Sequence, residues 1–169
     1  MNWSRAVDVL RETKTASGYE LMQMHRNDVP ETVAHLRKWY PDIVVGAESG
    51  HLTPEFYYEQ TTLAGEESER SIFPIVAKHE GAVVAMITFE RNALSKTITG
   101  RMGAVAPAER GSGLALLGPL LLEKIGRAIG AELAYYYATL KTPHQQVLAE
   151  RMRYELVGIV PAFDRDMVR

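Results

Sequence analysis

Residues 105–115 read Val-Ala-Pro-Ala-Glu-Arg-Gly-Ser-Gly-Leu-Ala, a short glycine-rich segment between a strand-like apolar stretch and a long leucine-rich helix. Glycines at 111 and 113 leave backbone N–H groups uncovered, and the positive end of the following helix dipole adds to the attraction for an anion. Arg110 supplies one fixed positive charge beside them. The pattern is typical of a phosphate-binding loop, and equally of a strand-to-helix turn in which glycine only eases a tight bend.

Two familiar nucleotide-binding loops do not fit this segment. A Walker loop requires Lys followed by Ser or Thr after its last glycine, where Leu114 and Ala115 stand. A dinucleotide fingerprint requires a third small residue where Leu116 stands, and an acidic residue about twenty positions further on, where the chain is rich in Leu and Tyr.

The composition predicts a single domain without disulfides. The chain has 169 residues, enough to bury a core of its own, and it contains no cysteine, which excludes thiolate catalysis and cysteine-ligated zinc. Its 19 basic and 21 acidic residues give a net charge of -2, so we expect neither nucleic acid nor a membrane surface as a partner. We predict no metal site. The apolar stretches are too short to cross a bilayer and the first residues lack the apolar core of a signal peptide, so the expected location is cytoplasmic.

The order of the predicted elements indicates a mixed sheet with helices on its faces. Turn and capping signals separate a first helix at 4–12, a strand at 19–25, and helices that begin near Asp28 and Thr53. Pro119 should kink the first turns of the long helix unless its regular part begins only near Gly118. The remaining predicted elements are strands at 72–78, 82–89, 97–105 and 134–140, helices at 114–129 and 142–152, and a final strand pair at 155–160 and 163–168.

The glycine-rich segment resembles the acetyl-CoA loop of the GNAT superfamily of N-acetyltransferases. In that family a strand ending in Val-x-Pro runs into a loop of the pattern Gln/Arg-x-x-Gly-x-Gly/Ala. The residues at those places are Val105, Pro107, Arg110, Gly113 and Ala115. Residues 145–154, Gln-Gln-Val-Leu-Ala-Glu-Arg-Met-Arg-Tyr, followed by Val-Gly, are similar to the last helix of the family and its Leu-Gly-Phe ending. The resemblance covers about residues 72–168.

The resemblance implies an α/β (α+β) fold with a mixed, mostly antiparallel central sheet and helices on both faces. Residues 1–169 would form one GNAT-like domain, in which 1–18 are an N-terminal extension, 19–70 the acceptor-side half and 71–169 the CoA-binding half.

The resemblance also implies the transfer of an acetyl or other short acyl group from acyl-CoA to an amine, by direct attack in a ternary complex. Main-chain groups near Ala104 and Val105 would pair with the pantetheine arm, and an N–H there would stabilise the oxyanion. The acceptor would be a small-molecule or peptide amine, and a homodimer is expected by resemblance alone. The residues implied to hold the pyrophosphate of acetyl-CoA through backbone N–H groups are Arg110, Gly111, Ser112, Gly113, Leu114 and Ala115.

The chain departs from the family at the positions that usually move protons. The frequent general acid is a tyrosine on the last helix, where Ala149 stands, and the strand at 97–105 lacks the frequent glutamate base. Three substitutes are available, each with a structural alternative: His144 as a helix-start residue, Tyr137 as a core residue, and Glu90 as an exposed strand-end carboxylate. The general acid and base therefore stay unassigned, and a non-catalytic acyl-CoA-binding sensor or regulatory module of the same fold is the alternative function.

The acceptor side is predicted on the two helices of the first half and the loop between them. An acidic surface there would attract a cationic amine, although a solvated helix face accounts for the same residues. Its carboxylates are Glu48, Glu55, Glu59, Glu66, Glu67 and Glu69, with Arg70 as the one permanent cation. The aromatic residues that would wall an acceptor pocket, or pack in the core instead, are Trp39, Tyr40, Phe56, Tyr57 and Tyr58.

Overall fold

The computed structural model of the chain describes residues 1–16, 18–41, 49–66, 69–138 and 143–159. The strands are β1 Tyr19–Gln23, β2 Ile72–His79, β3 Ala82–Asn92, β4 Thr97–Val105 and β5 Leu133–Tyr136. The α-helices are α1 Ser4–Glu12, α2 Val29–Trp39, α3 Pro54–Gln60, α4 Leu114–Ile129 and α5 His144–Arg151. Short 3-10 helices lie at Arg26–Asp28, Ser49–Leu52 and Pro107–Glu109.

The strands form one sheet in the order β1-β2-β3-β4-β5. The pairings β1–β2, β2–β3 and β3–β4 are antiparallel, and β4–β5 is parallel. Glu80 and Gly81 turn the hairpin between β2 and β3 with positive φ of 51° and 83°, the backbone that suits the twist of a two-residue hairpin. The predicted mixed, mostly antiparallel sheet is confirmed.

Helices cover both faces of the sheet, because β2, β3 and β4 alternate apolar side chains to each side. On one face α4 buries Leu121, Leu122 and Ile125 against Phe73 and Phe89. We call this the α4 face. On the opposite face, here called the α2–α3 face, the buried side chains include Val33, Leu36, Phe56, Tyr57, Val76, Met86 and Met102.

Helix α1 belongs to the core of the α4 face, although its sequence reads as an extension. Trp3, Ala6 and Leu10 are buried. The Trp3 ring stacks on Phe73 with centroids 5.0 Å apart, and its Nε1 donates a hydrogen bond of 2.8 Å to the Arg70 carbonyl. The start of the chain is thereby fixed to the strand that opens the second half.

Several predicted boundaries are corrected by the structure. The helix α4 begins at Leu114, so Pro119 lies inside it and the alternative start near Gly118 is wrong. Strand β1 ends at Gln23, two residues before the predicted end. Strand β5 ends at Tyr136, and residues 139–140 of the predicted strand lie outside the described residues. Thr142, the predicted start of the last helix, is also outside them, and α5 begins at His144.

The first strand of the predicted final pair is not present at 155–159, where the described residues form no strand. Leu156 and Val157 are 84% and 88% exposed, because no neighbouring strand pairs with them among the described residues. β-branched and apolar residues favour strands, but a strand forms only where a neighbouring strand is available for hydrogen bonding. Residue 160 and the second predicted strand at 163–168 lie outside the described residues.

Candidate active site

The segment between β4 and α4 forms a turn with exposed backbone donors. Gly111 and Gly113 have φ of 92° and 91°, a left-handed backbone that favours glycine, and Gly113 is the N-terminal cap of α4. Among the described residues, nothing accepts a hydrogen bond from the N–H of Gly111, Gly113 or Ala115, and the Leu114 N–H has only Ser112 Oγ at 3.4 Å. These donors and the start of a 16-residue helix form a site suited to an anion.

The two charged residues of this turn have different surroundings. Arg110 is exposed and forms no ion pair within the described part of the chain. The Glu109 carboxylate accepts a hydrogen bond from the Tyr19 hydroxyl and lies 3.4 Å from His79 Nδ1. The bond from Tyr19, and then that with His79, lowers the pKa of Glu109, while the same carboxylate raises the pKa of Tyr19. The free charge at the turn is therefore positive.

Strand β5 pairs along its whole length with the first four residues of β4. Their last pair is Gly100 with Tyr136, and the remaining part of β4, residues 101–105, has no partner on that side among the described residues. Gly100 permits the close approach, because a Cβ atom there would lie 3.1 Å from the Tyr136 Cβ. We call the space along this free side of β4, beyond the end of β5, the opening; it leads to the glycine turn.

A bulge in β4 decides which backbone groups face this opening. Ile87 pairs with Gly103 and Phe89 with Gly100, so Arg101 and Met102 together oppose Thr88. Beyond the bulge the Ala106 N–H donates to the Val84 carbonyl of the β3 side at 2.8 Å.

Since N–H and C=O groups alternate sides along a strand, Gly103 and Val105 direct theirs away from β3 and toward the opening. Ala104 pairs with Met86 of β3. The resemblance implies pantetheine contacts near Ala104 and Val105; in the structure Val105 directs its backbone groups to the opening, and Ala104 directs its own to β3.

A cavity of about 550 Å³ lies on the α2–α3 face beside the start of the opening. Arg101, the first β4 residue beyond the last pair with β5, forms part of its wall. Helix α3 contributes Phe56, Glu59 and Gln60, and β3 contributes Glu90. The cavity thus joins the predicted acceptor side to the point where the sheet opens.

Within the described part of the chain, the cavity is lined by four charged side chains, of which Glu90 and Arg101 form an ion pair. Glu90, a predicted base candidate, makes this contact across the two strands. Arg70 donates a hydrogen bond of 2.9 Å to the Thr61 carbonyl and also bonds the Tyr58 carbonyl, so it ties down the end of α3. Glu59 is exposed and has no ion pair within the described residues. Of the two cavity carboxylates, Glu59 is therefore the one available to bind a cation.

The rest of the predicted acidic surface is partly neutralised. Glu66 pairs with Arg26 at 3.1 Å and Glu69 pairs with Arg91 at 3.3 Å. Glu55 is exposed on α3, whereas Glu48 and Glu67 lie outside the described residues. Of the predicted aromatic wall only Phe56 lines the cavity, while Tyr57 is fully buried and the others pack against the core of the same face.

The other two proton-transfer candidates lie near the end of β5. The Tyr136 hydroxyl donates to the Gln145 carbonyl at 3.4 Å, which sets the first turn of α5 beside that strand. His144, the first residue of α5, is exposed. Tyr137 is 42% exposed and its ring centroid lies 5.9 Å from that of Tyr135. The structure therefore separates these two from Glu90, which lies in the cavity.

Tyr154, aligned with the aromatic end of the family motif, has a structural position. Its hydroxyl donates to the Pro119 carbonyl of α4 at 3.0 Å, and its ring meets Tyr136 edge-on at 5.2 Å. Burial, then the charge of Glu123 and the neighbouring Tyr136, raises the pKa of Tyr154 to about 12. This phenol stays protonated and joins the end of α5 to α4.

The described residues contain neither a metal-binding cluster nor a membrane-spanning helix. No group of three or more His, Cys, Asp or Glu side chains there is arranged to hold a metal ion. Within the same part of the chain, no helix combines the length and the apolar character needed to cross a membrane.

The chain was compared with known proteins. No protein-family model and no curated protein matches it. Among solved structures, the complex of AAC(6')-Iy with a bisubstrate analogue of CoA superposes with a TM-score of 0.63 at 12% identity, covering 85% of this chain and 95% of the other. The aminoglycoside 6'-N-acetyltransferase AAC(6')-Ih from Acinetobacter baumannii gives 0.61 at 15%, covering 89% and 99%.

A third similar structure is the ribosomal-protein-alanine N-acetyltransferase from Brucella melitensis, with a TM-score of 0.57 at 16% identity, covering 83% of this chain and 96% of the other. The fold of this chain is therefore the fold of these acetyltransferase structures. The resemblance seen in the sequence of the glycine turn agrees with that fold.

Proposed function

We propose that this protein transfers an acetyl or other short acyl group from acyl-CoA to an amine, by direct attack within a ternary complex. The observation that carries the proposal is the junction of three features: the opening beside β4, the turn with the free N–H groups of Gly111, Gly113 and Ala115, and the cavity at Arg101. An extended donor lying along the open side of β4 would have its pyrophosphate at the turn and its thioester near the cavity.

The chain's own groups suit each part of this reaction. N–H groups of the turn and Arg110 bind the pyrophosphate, and the open edge of β4 pairs with the pantetheine amides as a neighbouring strand would. When the amine attacks the thioester carbonyl, a C–N bond forms and the oxygen becomes anionic. An N–H of Gly103 or Val105 stabilises that charge. Collapse breaks the C–S bond, and the leaving CoA thiolate takes up the proton that the nitrogen loses, directly or through water, so no acyl-enzyme is required.

The acceptor is an amine that reaches the cavity from the α2–α3 face. Glu59 attracts its cationic form, and a water molecule removes the proton before attack, with Glu90 and Glu59 as the nearby carboxylates. The similar solved structures include enzymes named for aminoglycosides and for a ribosomal protein, which supports both small-molecule and peptide amines as candidates.

Replacement of Gly113 tests the binding of the donor. In Gly113→Leu the side chain covers the N–H groups of the turn, so we expect acetyl-CoA affinity to fall at least about tenfold in a calorimetric titration. Gly65→Leu is the matched control, because Gly65 is also exposed with a positive φ of 79° and no neighbour within 4 Å. Both variants pay a similar backbone penalty, and only the first loses binding. Absence of acetyl-CoA binding by the unaltered protein at millimolar concentration contradicts the proposal.

A thiol-release assay with a panel of amines separates the enzyme from the alternative sensor module. The alternative is favoured by Ala149, half-buried in α5 at the place of the usual acid, and by the pairing of Glu90 with Arg101. Turnover that requires both acetyl-CoA and an amine supports the transferase, whereas tight binding without turnover on small-molecule and peptide amines supports the sensor.

A further inference from the structure

A buried chain of polar groups reaches the bulge of β4 from the α2–α3 face. Thr88 and His51 are both fully buried. The Met102 N–H donates to Thr88 Oγ1 at 3.3 Å, and His51 Nε2 lies 2.8 Å from the same oxygen. The threonine side chain thus satisfies a backbone donor of the bulge, and the imidazole contacts that side chain.

The Thr88 hydroxyl can make both contacts at once, because a hydroxyl has one proton to donate and two lone pairs to accept with. The Met102 N–H uses one lone pair. Which of Thr88 Oγ1 and His51 Nε2 donates to the other depends on the tautomer of the imidazole, and either arrangement joins the two side chains.

The position of this chain matters because the bulge sets the alternation of β4. Two residues oppose Thr88, so every residue beyond it is shifted by one relative to a regular ladder. That shift directs the backbone groups of Gly103 and Val105 to the opening. If the Met102 N–H loses its buried acceptor, it must find another, and relaxation toward a regular ladder turns Gly103 away.

We propose that Thr88 and His51 are positioning residues that hold the β4 bulge, and through it aim the Gly103 N–H at the thioester carbonyl of the donor. The second clause rests on the proposed function. His51 lies in the 3-10 helix Ser49–Leu52, whose Gly50 lines the cavity, and its ring packs on Phe56 with centroids 4.2 Å apart. The register of β4 is therefore linked, through Thr88 and His51, to the wall of the cavity that contains Gly50 and Phe56.

The first measurement uses the full chain with acetyl-CoA that carries ¹³C at the thioester carbonyl. The infrared stretching frequency of the bound carbonyl is recorded. Thr88→Val keeps the shape and removes the hydroxyl, so we expect a higher stretching frequency than in the unaltered protein, with acetyl-CoA affinity within about threefold. Thr88→Ser restores the hydroxyl and the frequency. His51→Phe keeps a ring against Phe56, and it shifts the frequency in the same direction as Thr88→Val.

Thr61→Val is the matched control for a purely structural role. Thr61 is as buried as Thr88 and its hydroxyl donates to the Tyr57 carbonyl at 2.7 Å, away from the bulge. We expect it to lower thermal stability and leave the carbonyl frequency unchanged. Equal frequencies in Thr88→Val and the unaltered protein overturn the inference while the proposed function stands.

Amide hydrogen exchange without ligand reads the bulge directly. We expect Thr88→Val to change the exchange rates of Gly103 and Val105 at least about tenfold, and Thr61→Val to leave them unaltered. Unchanged rates in Thr88→Val overturn the inference whether or not acetyl-CoA binds. If Thr88→Val changes the exchange rates of Gly103 and Val105 but the unaltered protein binds no acetyl-CoA, the proposed function is wrong. The role of Thr88 in holding the bulge is then still supported.

Discussion

Glu109 is an acidic residue inside a turn suited to an anion, and its neighbours resolve that conflict. Tyr19 and His79, from β1 and β2, both contact its carboxylate. Their rings lie 4.8 Å apart, so the two strands hold the carboxylate together. The turn is thus anchored to the far edge of the sheet through the one side chain whose charge would oppose a phosphate.

Replacement of Glu109 predicts a pH-dependent loss of stability. Because the folded-state pKa of Glu109 lies below the usual 4.5, its contribution is fully present above about pH 4.5 and is lost as the pH falls through the lowered value. Glu109→Gln should therefore melt at a lower temperature than the unaltered protein near neutral pH, and the difference should shrink in acid. Thermal denaturation followed by circular dichroism from pH 3 to pH 7 measures this.

The control for that series is Glu80→Gln at the exposed hairpin turn, where the side chain has no ion pair among the described residues. It should follow the unaltered protein at every pH. A difference between Glu109→Gln and the unaltered protein that stays constant into acid would show that the carboxylate charge is not the stabilising feature.

The glycines of the turn could be found from sequence, but Thr88 and His51 could not. A left-handed backbone leaves a signature, because glycine adopts it most readily. A bulge arises from the pairing of two strands, and neither strand alone specifies which residue is doubled. His51 lies in a short 3-10 helix without hydrophobic periodicity, so no pattern predicts its burial.

Among the elements, α4 packs closely on β4 at Gly126. A Cβ atom at Gly126 would lie 2.9 Å from Ile98 Cγ2, a methyl group attached directly to the branched Cβ. At Gly118 the corresponding distance is 3.1 Å, to the flexible end of Ile87. Gly126 therefore lets α4, which begins at the glycine turn, lie directly on β4.

Gly126→Ala tests this contact against helix propensity. Alanine gains about 1 kcal/mol over glycine inside a helix, and overpacking costs about 1–3 kcal/mol. We expect a net loss of about 1 kcal/mol in the free energy of unfolding, measured by urea denaturation. Lys124→Ala, on the exposed side of the same helix, should change it by less than about 0.5 kcal/mol. A more stable Gly126→Ala would show that the helix adjusts without strain.

The elements around the site were predicted to the residue because local signals bound them. Strand β4 and helix α4 have the predicted ends, Thr97–Val105 and Leu114–Ile129. Gly113 and Gly130 cap the helix with left-handed backbone at both ends. The predicted strand at 155–160 has no such signals at its ends. Its apolar residues alone do not show whether a neighbouring strand pairs with it, and residues 155–159 form no strand.

At the scale of the whole molecule, one sheet joins two cores that contain one tryptophan each. Trp3 lies in the core of the α4 face, and Trp39 packs against the core of the α2–α3 face. The chain has only these two tryptophans. Because β2, β3 and β4 contribute side chains to both cores, loss of one core exposes the strands of the other.

The two tryptophans therefore predict a single cooperative unfolding transition. In Trp3→Phe and Trp39→Phe, fluorescence reports the remaining tryptophan, and in each variant its urea midpoint should coincide with that from far-ultraviolet circular dichroism. Each variant serves as the control of the other. Midpoints that differ within one variant would show that the core of the α4 face and the core of the α2–α3 face unfold separately.

Beyond its last pair with β5, strand β4 presents an unpaired edge at 101–105 among the described residues. Proteins commonly guard such edges with charges, prolines or bulges, because a free edge invites the strand of another molecule to join and aggregate. Here the bulge at Arg101 and Met102 lies at the start of this edge, and Pro107 follows its end. With the proposed function, an extended acyl-CoA donor would fill the edge that another strand could otherwise join.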